Sequence, residues 1–377
     1  MFFNSKVSSS LAVVLVVAGA SIPAHAAPAL SDSPRASRKS RPLFKPEQPR
    51  VKVIEGKSDT RGTGAKAVAL YSALPGSILS LSDTLSQTAM GPQARLGDQD
   101  QKSLWIRVNR TDMQGDIRNT FRSRAGALSN TVRLDQSITG AVLGAAVYED
   151  DDTRIDATLG AIAHEGRARG RGTDPKLNGY STSGGLILEH RTPVGLDLRM
   201  GAHYLGGYSE FKVPRPGIKQ RESRTKFGHH ALGFRAEAGW RLPLGSGLTF
   251  TPQVGVSTNV AWVRQHKSQT GRYTDTTASV STRLSYSNKG RAPRAASFSI
   301  EPTYISHFQR TSKDLAVGKL TYRVADRFQG DRAGLRLGAE IPVGKSGTLG
   351  VSLSRYWGVN GGRHNESSAS LSYLHRI

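Results

Sequence analysis

Three places in this chain carry residue types that could do chemistry. Ser181 and Ser183 stand in Gly179-Tyr-Ser-Thr-Ser-Gly184, His229 and His230 are adjacent, and residues 149–152 read Glu-Asp-Asp-Asp. A serine nucleophile presented on a sharp turn needs Gly-x-Ser-x-Gly, and here the glycine spacing fails. Two adjacent residues of a strand point to opposite faces, so His229 and His230 cannot hold one metal together, and no His-Glu-x-x-His follows them. The acidic run lacks the alternating ligands and glycine of a calcium loop and reads as a solvated turn. Gly170-Arg-Gly172 reads as flexible loop, with no phosphate cradle. No catalytic, cofactor-binding or metal residue is therefore expected, and no enzyme activity.

The remaining chemistry is charge set into apolar patterns. Across 228–242 the even positions are mostly apolar, while the odd ones include Arg235, Glu237 and Arg241; Leu335, Leu337, Ala339 and Ile341 likewise alternate with Arg336 and Glu340. Successive strand side chains face opposite ways, so these charges share one wall. A dry core is a poor place for them, because a buried ion costs several kcal/mol unless well paired. A wet lumen suits them, with Glu237 paired to Arg235, Arg241 or a group on a plug. A second cluster, Lys212, Arg215, Lys219, Arg221, Arg224 and Lys226 against Glu210 and Glu222, reads as an exposed basic loop able to bind polyanions. The plainer reading is that it neutralises nearby lipid phosphates. No Arg-Gly-Asp occurs.

The elements that must position these groups are strands. Leu248, Phe250, Pro252, Val254, Val256, Val260 and Trp262 alternate with polar or small residues, and twelve such stretches are read: 104–108, 132–148, 155–163, 180–190, 196–208, 228–242, 248–262, 278–286, 298–308, 335–341, 349–357 and 369–377. Tight links at 149–153, 191–194, 243–247 and 342–347 alternate with long ones at 165–177, 209–226, 264–275 and 311–330, with 288–295 intermediate. That asymmetry is expected of a barrel with short periplasmic turns and long outer loops. Trp240, Tyr204, Tyr208, Trp262, Tyr304, Phe308, Trp357 and Tyr373 near strand ends suit interfacial girdles. Between 67 and 92, Pro75 suits a first helical turn, and Ile78, Leu81 and Leu85 share one side. The helix 76–90, otherwise small and polar, would thread a polar pore for roughly 22 Å.

Bulk properties narrow the setting. Past the first thirty residues no run approaches the ~20 apolar residues of a membrane helix. Lys6, the apolar stretch 11–20 and Ala24-His25-Ala26 form a secretory signal peptide over 1–26. An exported chain with no cysteine forgoes disulfides, and must be stabilised by hydrogen-bonded closure or a large core. The net charge of +23 then points away from nucleic acid and toward anionic lipid, lipopolysaccharide or host glycans. Residues 27–66 hold ten basic residues against four acidic ones and five prolines, and read as a disordered basic segment.

Residues 67–75, Ala-Val-Ala-Leu-Tyr-Ser-Ala-Leu-Pro, together with Leu96-Gly97-Asp98 before Leu104-Trp105-Ile106-Arg107 and with Gly233-Phe-Arg-Ala-Glu-Ala-Gly-Trp240, resemble the C-terminal translocator domain of autotransporters, the type V secreted outer-membrane proteins of Gram-negative bacteria. The resemblance covers about 68–377. It implies a 12-stranded antiparallel transmembrane β-barrel with an N-terminal α-helix in the pore, Arg107 facing the lumen from the first strand, and Glu237 facing the helix. It departs from the family in two ways. The segment at 27–66 is too short for the usual passenger, and the last five residues end in His375, Arg376 and Ile377 where an aromatic terminus is usual.

The expected organisation is signal peptide 1–26, basic segment 27–66, pore helix 67–92 and barrel 93–377. The expected function is a monomeric outer-membrane translocator that exports or displays its own N-terminal segment, without cofactor. Expected partners are outer-membrane lipid and lipopolysaccharide, the barrel assembly machinery, periplasmic chaperones and possible host glycans, with no nucleic acid. An adhesin acting through the basic loops and a small porin-like channel are the alternatives.

Overall fold

The computed structural model describes residues 63–90, 103–123, 126–169, 174–214, 222–265, 271–288, 295–310, 314–317, 320–325, 330–360 and 364–377. The expected signal peptide and most of the basic segment lie outside them. One helix, α1 (Thr63–Ala89), is followed by β1 (Ser103–Ser123), β2 (Gly126–Glu149), β3 (Thr153–Arg169), β4 (Lys176–Arg191), β5 (Leu196–Pro214), β6 (Glu222–Trp240), β7 (Leu242–Gly245), β8 (Leu248–Gln265), β9 (Gly271–Ser287), β10 (Ser297–Arg310), β11 (Asp314–Val317), β12 (Leu320–Ala325), β13 (Arg332–Val343), β14 (Gly347–Gly358) and β15 (His364–Arg376). Each long strand pairs antiparallel with the next, and β15 pairs with β1 from Ser103↔Arg376 to Gly115↔His364, which closes the sheet. The barrel has twelve strands: β7 is a four-residue extension that stays on β8 after β6 ends, and β11–β12 is a hairpin laid on the far part of β1.

Closure pairs each of the twelve barrel strands on both edges, so the barrel wall presents no open ladder edge to hydrocarbon. Alternation does the rest. On β1, Trp105, Arg107, Asn109, Thr111 and Met113 are buried, while Leu104, Ile106 and Val108 lie outside. Beyond Val108 the outward residues become Arg110, Asp112 and Gln114, so the apolar band ends there although the ladder continues to Ser123. The same change occurs on β3 past Ala163, where Glu165, Arg167 and Arg169 face out. Tyr180, Tyr208, Tyr304 and Trp357 ring this upper boundary, and Trp240, Tyr286, Phe298 and Tyr373 ring the lower one.

Two expectations are corrected. The strands run further toward the long-loop end than the alternation showed, because beyond the apolar band both faces are wet and carry polar residues. Lys212 therefore sits in β5, and Arg224 and Lys226 in β6, rather than in a loop. Arg215, Lys219 and Arg221 lie outside the described residues. The helix is also longer than expected and runs through Pro75, with residues 63–66 helical instead of part of the basic linker. An interior proline costs about 3 kcal/mol or more. Burial of Ala69, Leu70, Ala73 and Leu74 on its N-terminal side offsets this, at roughly 1.5–3 kcal/mol per large apolar side chain.

At ~1.5 Å per residue α1 spans roughly 40 Å. Its outward surface is small because the lumen is narrow: a Cβ on Gly160 would lie 3.2 Å from Leu85, and one on Gly201 only 2.7 Å from the Met90 sulfur. Wall glycines thus leave the space that the helix fills.

Candidate functional site

The site is the lumen and the helix within it. At the long-loop end Lys66 of α1, itself buried, pairs with Asp174 between β3 and β4 at 2.8 Å. One level down the contact is apolar, with Leu70 against Leu177 and the backbone at Gly166. At mid-height it becomes a polar lock. Ser82 Oγ donates to Asn259 Oδ1 at 2.7 Å and so accepts from His203 Nε2 at 2.8 Å, which leaves His203 Nδ1 facing Ser86 Oγ at 3.1 Å. The serines and threonines that set this helix apart from a core helix in the sequence are the groups that meet the polar wall.

Asp83 lies in the same layer. Its carboxylate is 3.6 Å from Arg235 of β6 and 3.5 Å from Arg332 of β13, and it accepts from Gln87 at 2.9 Å. Near the helix C-terminus the buried Arg107 guanidinium donates to the Thr88 carbonyl, one of the last four carbonyls that have no partner inside a helix. Helix and wall are therefore joined by complementary groups at every level.

Beside the C-terminal end of the helix the lumen keeps a small polar pocket, lined by Gln87, Met90, Arg199, Arg235, Glu237 and Arg336 among others. Its charges are paired along the wall. Arg235 Nε meets Glu237 at 2.7 Å, Arg199 meets Glu189 at 2.9 Å, Arg283 meets Glu301 at 2.7 Å, and Arg336 Nη1 lies 3.7 Å from Glu301. Mutual pairing lets a wall hold charge at this density without a ligand.

Of the residues chosen from the sequence, Arg107, Arg235, Glu237, Arg241, Arg336 and Glu340 all face inward. Glu237 pairs with Arg235. Arg241 instead meets Asp197 at 2.9 Å at the short-turn end, and Glu340 accepts from Ser297 at 3.2 Å. Asp83, His203, Asn259 and Arg332 were not chosen, although they hold the helix. Asp83 was visible as the acidic residue among the serines of the helix; His203 had no local signal, because its partners are more than a hundred residues away.

Ser181 does meet a histidine: its Oγ is 2.7 Å from His229 Nε2, with Ser209 Oγ 3.2 Å from Nδ1 and His164 Nε2 3.1 Å from Ser209. Strand register brings these groups together from β3, β4, β5 and β6. No carboxylate orients His229 in this chain of hydrogen bonds, and all four residues are buried. The acidic turn is also explained. Asp150 Oδ1 accepts from the backbone N–H of Asp152 and Thr153 at 3.0 and 2.6 Å, and Oδ2 accepts from the Tyr148 hydroxyl at 2.6 Å. Among the described residues no group of three or more His, Cys, Asp or Glu side chains could hold a metal ion.

A closed 12-stranded barrel with a lipid-compatible outer face and a helix filling its pore defines a translocator-type outer-membrane barrel. The sequence model of the Autotransporter beta-domain family matches residues 119–354, and the chain belongs to that family. Among solved structures, the translocator domain of the autotransporter NalP from Neisseria meningitidis matches at 13% identity with a TM-score of 0.54, covering 85% of this chain and 100% of its own. The transport unit of the autotransporter AIDA-I from Escherichia coli matches at 12% identity with a TM-score of 0.54, covering 80% and 98%. At these identities the likeness is one of fold. No curated protein matches in sequence.

Proposed function

We propose that this chain is exported through a signal peptide at 1–26, assembles in the outer membrane of a Gram-negative bacterium, and carries its own N-terminal segment through the barrel to display it at the cell surface. The observation that supports this is the direction of the helix. Thr63 begins α1 at the long-loop mouth, where Lys66 holds Asp174, and the helix ends near Arg107, above the short-turn end where β1 starts. A chain entering from the short-turn side and leaving at the long-loop side would come to rest in this arrangement. The bonds described above then hold the helix as a plug.

An epitope tag placed near Arg50 tests this. On intact cells the tag is expected to bind antibody and to be removed by added protease, while a tag in the turn at Asp151 stays protected. A tag at Arg50 that is reached only after cell lysis would overturn the reading.

A further inference from the structure

The hairpin β11–β12 leaves the sheet with one open end. β15 pairs with β1 as far as Gly115↔His364, and from Arg118↔Ala325 to Arg122↔Thr321 the same edge of β1 is taken over by β12, with β11 on the other side of β12. The twelve barrel strands are closed, but among the described residues β11 (Asp314–Val317) pairs with β12 alone. In an antiparallel ladder, alternate residues turn their N–H and C=O to opposite sides, so half of the β11 backbone groups face a side without a described strand. Such an edge is a template for a further strand, and proteins cover it or blunt it with charge, proline or a bulge. β11 reads Asp-Leu-Ala-Val, with no proline and its one charge at the first position.

The chain supplies a strand-forming stretch at the same mouth. Upstream of Thr63, where α1 begins, residues 56–62 read Gly-Lys-Ser-Asp-Thr-Arg-Gly, and before them stands Val51-Lys-Val-Ile-Glu55. Both lie outside the described residues. Val51, Val53 and Ile54 are the only valines or isoleucines between 27 and 62, and β-branched side chains favour the pleated conformation. Pro49 and Gly56 bound the stretch on either side.

Direction and reach both suit this pairing. β1 runs from the short-turn end to the long-loop end, so β12 runs back and β11 runs outward again. Followed outward from Thr63, the upstream segment goes from its C-terminal to its N-terminal end. Laid along β11 it is therefore antiparallel without any reversal of the chain. Twelve strands ~4.8 Å apart and tilted by ~40° enclose a mouth roughly 24 Å across between backbones. The eight residue steps from Thr63 back to Glu55 extend to ~26 Å, enough to reach any point of the rim. We infer that Val51–Glu55 docks on the open edge of β11 as an added antiparallel strand, which holds the segment emerging from the pore on the rim of the barrel. The inference deepens the display reading, and rests on it for the side of the membrane on which the contact forms.

The chain has no cysteine, so pairs can be introduced into the full-length, folded protein in micelles and oxidised. Cross-strand Cα separations of about 4.5–5.5 Å lie within disulfide reach. Val53→Cys, and separately Ile54→Cys, is combined in turn with Asp314→Cys, Leu315→Cys, Ala316→Cys or Val317→Cys, and folding is checked by heat-dependent gel mobility. One position of β11 is expected to give at least fivefold more disulfide within the chain than the others, and than Arg264→Cys at the end of β8, which reports chance collision. Moving the first cysteine two residues along the segment should move the best partner two residues the opposite way along β11, as antiparallel pairing requires. Equal yields at all four positions and at Arg264, or disulfides between two molecules in place of those within one, would overturn the inference. The two readings fail separately. A preferred, register-dependent disulfide together with a tag at Arg50 reached only after lysis would remove display and leave the strand contact standing, whereas an exposed tag with no preferred position would do the reverse.

Discussion

Asp83 is the carboxylate that the helix carries into the lumen, and it lies between two arginines that each have a second acidic partner, Glu237 for Arg235 and Glu366 for Arg332. Asp83→Asn therefore leaves neither arginine unpaired, and its cost should be nearer that of one charge-assisted hydrogen bond, about 1.5–3 kcal/mol, than that of a broken buried pair. The expected result is an intact barrel with a less firmly held plug, seen in planar bilayers as brief openings that wild type lacks. His203 offers a second check. A Cβ on Gly233 would lie 2.1 Å from its ring, so Gly233→Ala should displace His203 from Ser82 and Ser86 and lower the thermal midpoint of the folded species by several degrees. Removing the ring should relieve that clash, so His203→Ala/Gly233→Ala is expected to lose less than the sum of its parts. At the long-loop end, the Asn360 amide holds the Asp331 carboxyl below its usual range, against the upward push of burial and helped by the His307 N–H and the hydroxyls of Tyr304 and Ser306. A depressed carboxyl contributes stability above its unfolded pKa of about 3.9 and loses it as pH falls through the folded value. Hydrogen exchange at the start of β13 should accordingly quicken below about pH 4, and Asp331→Asn should remove that pH dependence.

At the scale of the element, the helix and the strands were legible to different depths. Within the apolar band one wall meets a dry medium and the other a wet one, so period two is imposed on the sequence and every strand could be found there. Beyond the band that contrast vanishes. The outer third of β1, the first part of β2 and the ends of β5 and β6 continue as ladders that no hydropathy pattern marks, which is why Lys212, Arg224 and Lys226 read as loop. The helix was recognised from Ile78, Leu81 and Leu85, but its start was misplaced because Pro75 looked like a beginning. Only the packing of Leu70 and Leu74 against the wall shows why it is an interior residue. Deleting residues 63–90 should convert the barrel into an open conductor with steady large currents. A deletion variant that folds and still does not conduct would show that the lumen is blocked by something other than α1.

For the whole molecule, the sign of each face was readable but its partners were not. Inward charges such as Arg235 and Glu237 could be assigned to the lumen by alternation alone, whereas the helix-holding set of His203, Asn259 and Arg332 depends on which strands closure brings round the pore, and that is a property of register. The closed sheet also makes the molecule lopsided. From Arg110 onward β1 and its partner β2 continue past the apolar band as a ribbon of roughly 40 Å, braced by β11 and β12, while β8 and β9 stop within a few residues of Arg264 and Arg272. The mouth of the pore is thus cut like a spout. Among the described residues the wall is tall on one side and short on the other, so on the display reading proposed above a departing chain would be steered toward the short side. On that reading the direction of release would be set by the barrel and not by the sequence being released.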